Sequence, residues 1–139
     1  MSIYANPINN NPSNLQQRNG LLYFSQKLRT SDPPYCQFWD LEFGIRAIFK
    51  NIKNLIASQT NTIQTILLDL YFLDQNDLDA FAGFIEGTVG KTRNVLIYWT
   101  NQTDMMNLIN GICQYQSGEL LSEDQLNQGY SDANSTIWQ

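Results

Sequence analysis

Leu41, Ile45, Ile48, Ile52 and Leu55 recur at steps of four, three, four and three. That spacing places five aliphatic side chains on one stripe of an α-helix and is incompatible with a strand, whose faces alternate every second residue. Asp40 stands just before the stripe, where a short acidic side chain can accept hydrogen bonds from the free amides of the first turn. Glu42 falls in that turn, where a negative charge suits the helix dipole. Arg46, Lys50 and Lys53 fall on another face.

The same reading finds four more helices downstream. Ile63, Ile66, Leu67 and Leu70 form a stripe that Thr60 or Thr62 can cap. Asp74 can cap a helix carrying Leu78, Phe81, Ala82, Ile85 and Val89, which Gly90 is placed to stop. Thr103 is expected to cap Met105, Leu108, Ile109 and Ile112, with Gly118 as terminator. Ser122 and Gln125 match a capping box, opening a short helix expected to end near Gly129. Residues 130–139 then read as a polar tail, and residues 1–20 as a polar arm rich in Asn and Pro. Leu21–Phe24 and Cys36–Phe38, separated by the turn signal Ser31-Asp32-Pro33-Pro34, suggest a small β-hairpin. Asn94–Trp99 is apolar and β-prone but too short for periodicity to assign. The expectation is one domain over residues 1–139, α+β in class and predominantly α-helical.

Composition narrows the chemistry. The chain of 139 residues has no histidine, which removes a His-based triad, a His general base and His metal ligands. Cys36 and Cys113 are far apart and read as small buried hydrophobes rather than a disulfide. No metal site and no cofactor are expected. All eight Lys and Arg lie at or before Arg93, so the net charge of −5 arises in the C-terminal third. An acidic surface there argues against nucleic acid as a ligand. No window offers the ~18 consecutive apolar residues of a membrane span. The first residues lack the basic region and apolar core of a secretory signal, so synthesis in a host cytoplasm is expected.

Asn10-Asn11-Pro12-Ser13-Asn14-Leu15 and the later Tyr35-Cys36-Gln37-Phe38 with Gly44-Ile45-Arg46-Ala47 resemble blocks of the phage structural protein P5 family. That family pairs an N-N-P-x-N-I/L opening with an F-C-x-F and G-I-R-A block. A third family block is similar to Thr62–Leu70 continuing through Asp74-Gln75-Asn76-Asp77-Leu78. The likeness covers about residues 8 to 90. It implies a lysozyme-like small domain from a phage virion, with other virion proteins and peptidoglycan as partners. Two departures matter. The acidic position of the family's E-N-D is Gln75 here, and an H-E-N-G type segment becomes Tyr115-Gln116-Ser117-Gly118. An amide hydrogen bonds but cannot donate a proton as a general acid.

If glycan-cleaving chemistry survives, Glu42 is the best-placed acid, beside the β segment and at a helix start. Its position also has an ordinary explanation as a favourable first-turn charge, and a helix N-terminus works against holding its proton. Glu86 reads as a solvated-face residue, and Glu119 and Glu123 have structural explanations. Trp39, Gln75, Tyr98, Trp99 and Gln116 are the candidates for a substrate or partner groove, while Phe38 and Phe43 read as core. Lys91-Thr92-Arg93 reads as a solvated basic loop. The expected function is therefore a virion structural or adaptor protein, catalytically degenerate. The alternative is a peptidoglycan-cleaving muramidase or lytic transglycosylase.

Overall fold

The structure is a computed structural model that describes residues 10–17, 26–27 and 35–135. Five helices run in chain order: α1 (Leu41–Ala57), α2 (Ile63–Leu70), α3 (Gln75–Val89), α4 (Gln102–Ser117) and α5 (Glu123–Asn134). The fold is predominantly helical. Helix α1 packs most extensively on α5, α3 on α4, and α2 and α5 complete the bundle against α3 and α4. Phe38, Ile48, Phe49, Ile52, Phe81, Ile85, Leu108 and Ile112 are fully buried between them.

Local chemistry sets most of the ends. Thr62 accepts from the Thr65 amide in a capping box, Asp74 accepts from Asp77, and Ser122 and Gln125 form the reciprocal box at α5. Gly90 and Gly118 terminate α3 and α4 at φ of 78° and 73°, in the left-handed region that a Cβ disfavours. Two expected caps are corrected. Asp40 is the residue before α1, but its carboxylate makes no capping hydrogen bond. The α4 cap is Asn101, which accepts from Asp104, so the helix begins one residue before Thr103.

The expected end of α5 near Gly129 is also corrected, since the helix runs on to Asn134. Gly129 is the crossing point of two helices, not a stop. A Cβ there would lie 2.6 Å from Phe49 Cδ2 and 2.9 Å from Ile45 Cγ2. The polar residues that follow are held by tertiary contacts. Tyr130 stacks on Trp99 at 4.6 Å, and Ala133 is buried. Arg46, on a different face from the apolar stripe, is buried too, because α5 covers that side of α1.

Leu21–Phe24 lies outside the described residues. Among the described residues the β component is three isolated antiparallel bridges, Gln16 with Tyr35, Gln26 with Phe38 and Thr62 with Leu96. The described part of the N-terminal arm is not loose: Asn11, Ser13, Asn14 and Leu15 are buried. Asn10 and Asn14 adopt φ of 50° and 54°, a left-handed conformation that asparagine tolerates better than most residues. Asn11 closes the turn, its Oδ1 accepting from the Leu15 amide at 3.0 Å and its Nδ2 donating to Leu15 O and Cys36 O. Asn10 Nδ2 donates to Phe38 O at 3.0 Å. Gly44 completes the interlock, with the Asn10 carbonyl oxygen only 1.7 Å from where a Cβ would stand.

Candidate functional site

The N-terminal half of α1 and the length of α5 enclose an open groove of about 320 Å³. Leu41 and Ile45 form its apolar floor, and Gly129 lets the two helices approach closely enough to build it. Glu42, Asp124, Gln125, Gln128 and Asp132 supply the polar lining. Glu42 and Asp124 are exposed, each in the first turn of its helix, where the dipole favours a carboxylate. Asp132 is buried and accepts from Gln128 Nε2 at 2.7 Å. Burial lowers the pKa of the Arg46 guanidinium from its ordinary value, and the nearby Asp132 carboxylate partly restores it. Lys50 is lowered as well, by burial first and then by repulsion from Lys53 and Arg46.

Of the six expected site residues, Glu42 lines this groove and the other five lie elsewhere. Trp39 is 65% exposed, with Lys27 Nζ 4.7 Å from its ring centroid. Gln75 is the exposed first residue of α3, donating to Asp79 Oδ1 at 3.0 Å. Tyr98 is exposed on the α3–α4 connection. Trp99, expected at a surface, is half-buried: it stacks on Tyr130, meets Phe49 edge-on, and donates from Nε1 to Asn134 Oδ1 at 2.9 Å. Gln116 sits at the far end of α4, where its Oε1 and backbone carbonyl both accept from Asn14 Nδ2. Its observed role is to tie the Asn-Pro segment to the bundle, and Ser117 does the same by donating to Pro12 O at 2.7 Å.

The basic loop is spoken for. Lys91 pairs with Asp104, while Arg93 reaches Glu86 at 3.0 Å and Asp79 at 2.9 Å. Glu86 is therefore the anchor of the α3–α4 connection, not a solvated-face residue. Its hydrogen bonds from the Arg93 side chain and backbone lower its pKa. Cys36 and Cys113 are buried thiols not joined in a disulfide, and burial raises the Cys113 thiol far above its ordinary range. Among the described residues, no cluster of three or more His, Cys, Asp or Glu is arranged to hold a metal, and no helix is long and apolar enough to cross a membrane.

A second cleft, of about 540 Å³, lies between α4 and α5 and was not anticipated. Amide side chains line it, among them Gln102, Asn107, Asn110 and Asn127, over Met106, Leu121 and Leu126. The four-residue spacing of Gln102, Met106 and Asn110 was visible in the sequence. The part supplied by α5 was not.

No family model and no curated protein matches this chain. The geometry and the resemblance noted above therefore carry the functional reading.

Proposed function

We propose that this chain is a phage virion-associated structural or adaptor protein, built on a lysozyme-like scaffold that has lost glycan cleavage. Its partners would be other virion proteins, and its location the particle. One observation carries the reading: the residues that bear the family resemblance are consumed in holding the fold together. Asn10 and Asn11 clamp the carbonyls of Cys36 and Phe38, Asn14 binds Gln116, and Gly44 makes room for the Asn10 backbone. Side chains committed to such bonds are not available to a substrate. Glu42 supports the same reading, because its side chain stands exposed in the first turn of α1, where a structural charge is favoured.

A second reading, a peptidoglycan-cleaving enzyme, rests on one feature. Glu42 shares its groove with Asp124 and Asp132, and glycoside hydrolysis uses paired carboxyl groups. Two measurements separate the readings. Particles released from cells carrying the gene, banded by density and analysed by mass spectrometry, are expected to contain the chain, and its absence would refute the virion assignment. Purified protein incubated with sacculi is expected to release no muropeptides at acidic or neutral pH. Release that disappears in Glu42→Gln would establish the enzyme instead.

A further inference from the structure

The junction between the Asn-Pro segment and α4 is hydrogen-bonded in one direction only. Asn14 Nδ2 donates to the Gln116 backbone carbonyl at 2.9 Å and to Gln116 Oε1 at 3.0 Å. Two side-chain amides can exchange a pair of bonds, each donating to the other's oxygen. Here the return bond is not made. Asn14 Oδ1 is buried and accepts from no protein group among the described residues, and Gln116 Nε2 donates to none. The Oγ of neighbouring Ser13, a residue with no exposed surface, is likewise without a protein partner. The groups around them are satisfied. Ser117 Oγ donates to Pro12 O at 2.7 Å and to Cys113 O at 2.9 Å, and the Tyr71 hydroxyl donates to Ser13 O. A buried polar atom left unpaired forfeits the whole of its hydration, and folded proteins hold few of them.

We infer that this junction binds an internal water molecule, which donates to Asn14 Oδ1 and accepts from Gln116 Nε2 and Ser13 Oγ. The chemistry of the three groups selects it. An anion would be repelled by Asn14 Oδ1, and a cation by the Nε2 hydrogens of Gln116. The hydrogen bonds of Asn14, Gln116 and Ser117 run between neutral groups, so no side-chain charge there calls for a counterion. What fits is a neutral molecule that donates and accepts at once, and the burial of Ser13 and Asn14 restricts it to the smallest one. Three protein partners are what an internal water typically has. The water completes the clasp between the segment before α1 and the end of α4. It leaves as that clasp loosens, so its residence reports a local opening of the fold. Water turns to donate as readily as to accept, so Gln116→Glu keeps the site. This inference does not depend on the virion assignment.

NMR of the unmodified protein tests it. Cross-peaks are expected from water to the side-chain amide protons of Asn14 and Gln116. Their sign should be opposite in NOE and ROE spectra, the signature of a water that outlasts molecular tumbling. Ser13→Ala gives a second test, in which the two possibilities differ in sign. If the hydroxyl bonds to water, its loss should lower Tm by roughly 2–5 °C. If the hydroxyl is buried with no partner at all, its loss should raise Tm. A high-resolution crystal structure would separate an internal water from a direct contact between the two side chains. Absence of the cross-peaks, a Ser13→Ala protein no less stable than its parent, or a Ser13 Oγ bonded directly to Asn14 Oδ1 would each overturn the inference. The cross-peaks come from unmodified protein, so they decide the matter even if the variant misfolds.

Discussion

Gly44→Ala puts two physical arguments in direct opposition. By helix propensity alone, replacing glycine within α1 should stabilise the protein by about 1 kcal/mol. The structure predicts the reverse. The new Cβ would stand 1.7 Å from Asn10 O, 2.9 Å from Asn10 C and 3.3 Å from Asn11 Cα. All three are backbone atoms, so no rotamer change relieves the overlap. Either α1 or the Asn-Pro segment must retreat by about 1.8 Å to restore an ordinary contact near 3.5 Å. Overpacking of this kind costs about 1–3 kcal/mol. Retreat also breaks the Asn10 bond to Phe38 O and strains the buried Asn11 bonds to Leu15 and Cys36, at about 1–3 kcal/mol for a buried polar group left unpaired. After the propensity gain is set against these, the net destabilisation is about 1–5 kcal/mol, and the middle of that range is roughly 10 °C in Tm for a domain of this size. Thermal and urea unfolding followed by circular dichroism would measure it, with Gly83→Ala and Gly87→Ala as references. A Cβ at either of those meets nothing within 4 Å, so each should stabilise by about 0.5–1 kcal/mol. A Gly44→Ala protein as stable as its parent would refute the interlock between α1 and residues 10–15.

Asp74→Ala should cost about 1 kcal/mol in urea unfolding through loss of the α3 cap, and Asp40→Ala distinctly less, because only Asp74 makes a capping bond. Glu86 has a lowered pKa in the folded state, so its contribution is fully present above the unfolded carboxylate range near ~4.3 and is lost as pH falls below it. The stability difference between wild type and Glu86→Gln should therefore shrink on acidification through that range, and a pH-independent difference would argue against the Arg93 contact. Cys36 and Cys113 are buried, and Cys113 is held as the unreactive thiol, so a thiol reagent should label both only after denaturant is added. Rapid labelling of the native protein would contradict that burial.

The helices were legible in the sequence wherever the signal is local. Thr62, Asp74, Ser122, Gly90 and Gly118 act within a turn of themselves, and each sits where the pattern of caps and stops places it. What escaped the sequence is non-local. The pattern within α1 does not report that Arg46 is buried, which follows only from α5 lying across α1. Gly129 reads as a helix stop until the Phe49 ring is seen against it. The last turn of α5 is polar and would fray alone. It persists because Tyr130 stacks on Trp99 and Lys53 Nζ donates to Ala133 O at 3.3 Å. The asparagines of residues 10–14 are turn formers by composition, but composition does not reveal that their amides reach across to Cys36, Phe38 and Gln116. The site was less legible still: the groove that Glu42 lines exists only because α5 crosses α1, and no local pattern reports that crossing.

The two amides that stand where the resembled family has acids do not weigh equally. Gln75 opens α3 beside Asp74, Asp77 and Asp79, and its Nε2 donates to Asp79 Oδ1. A glutamate there could not donate, and would set two like charges one helical turn apart, at a cost of about 0.2–0.5 kcal/mol. Local electrostatics therefore account for the amide at Gln75 without reference to any lost chemistry. Gln116 is different. Its Oε1 only accepts from Asn14 Nδ2, a role that a carboxylate would fill at least as well. No acid is recorded among its hydrogen-bond partners, so this contact gives no reason to prefer the neutral side chain. Of the two amides, Gln116 is therefore the one that favours the proposed loss of acid catalysis, alongside the exposure of Glu42. Gln116→Glu is the informative replacement: it should retain the Asn14 contact and the fold, so any gain in sacculus cleavage would be attributable to the restored carboxyl group.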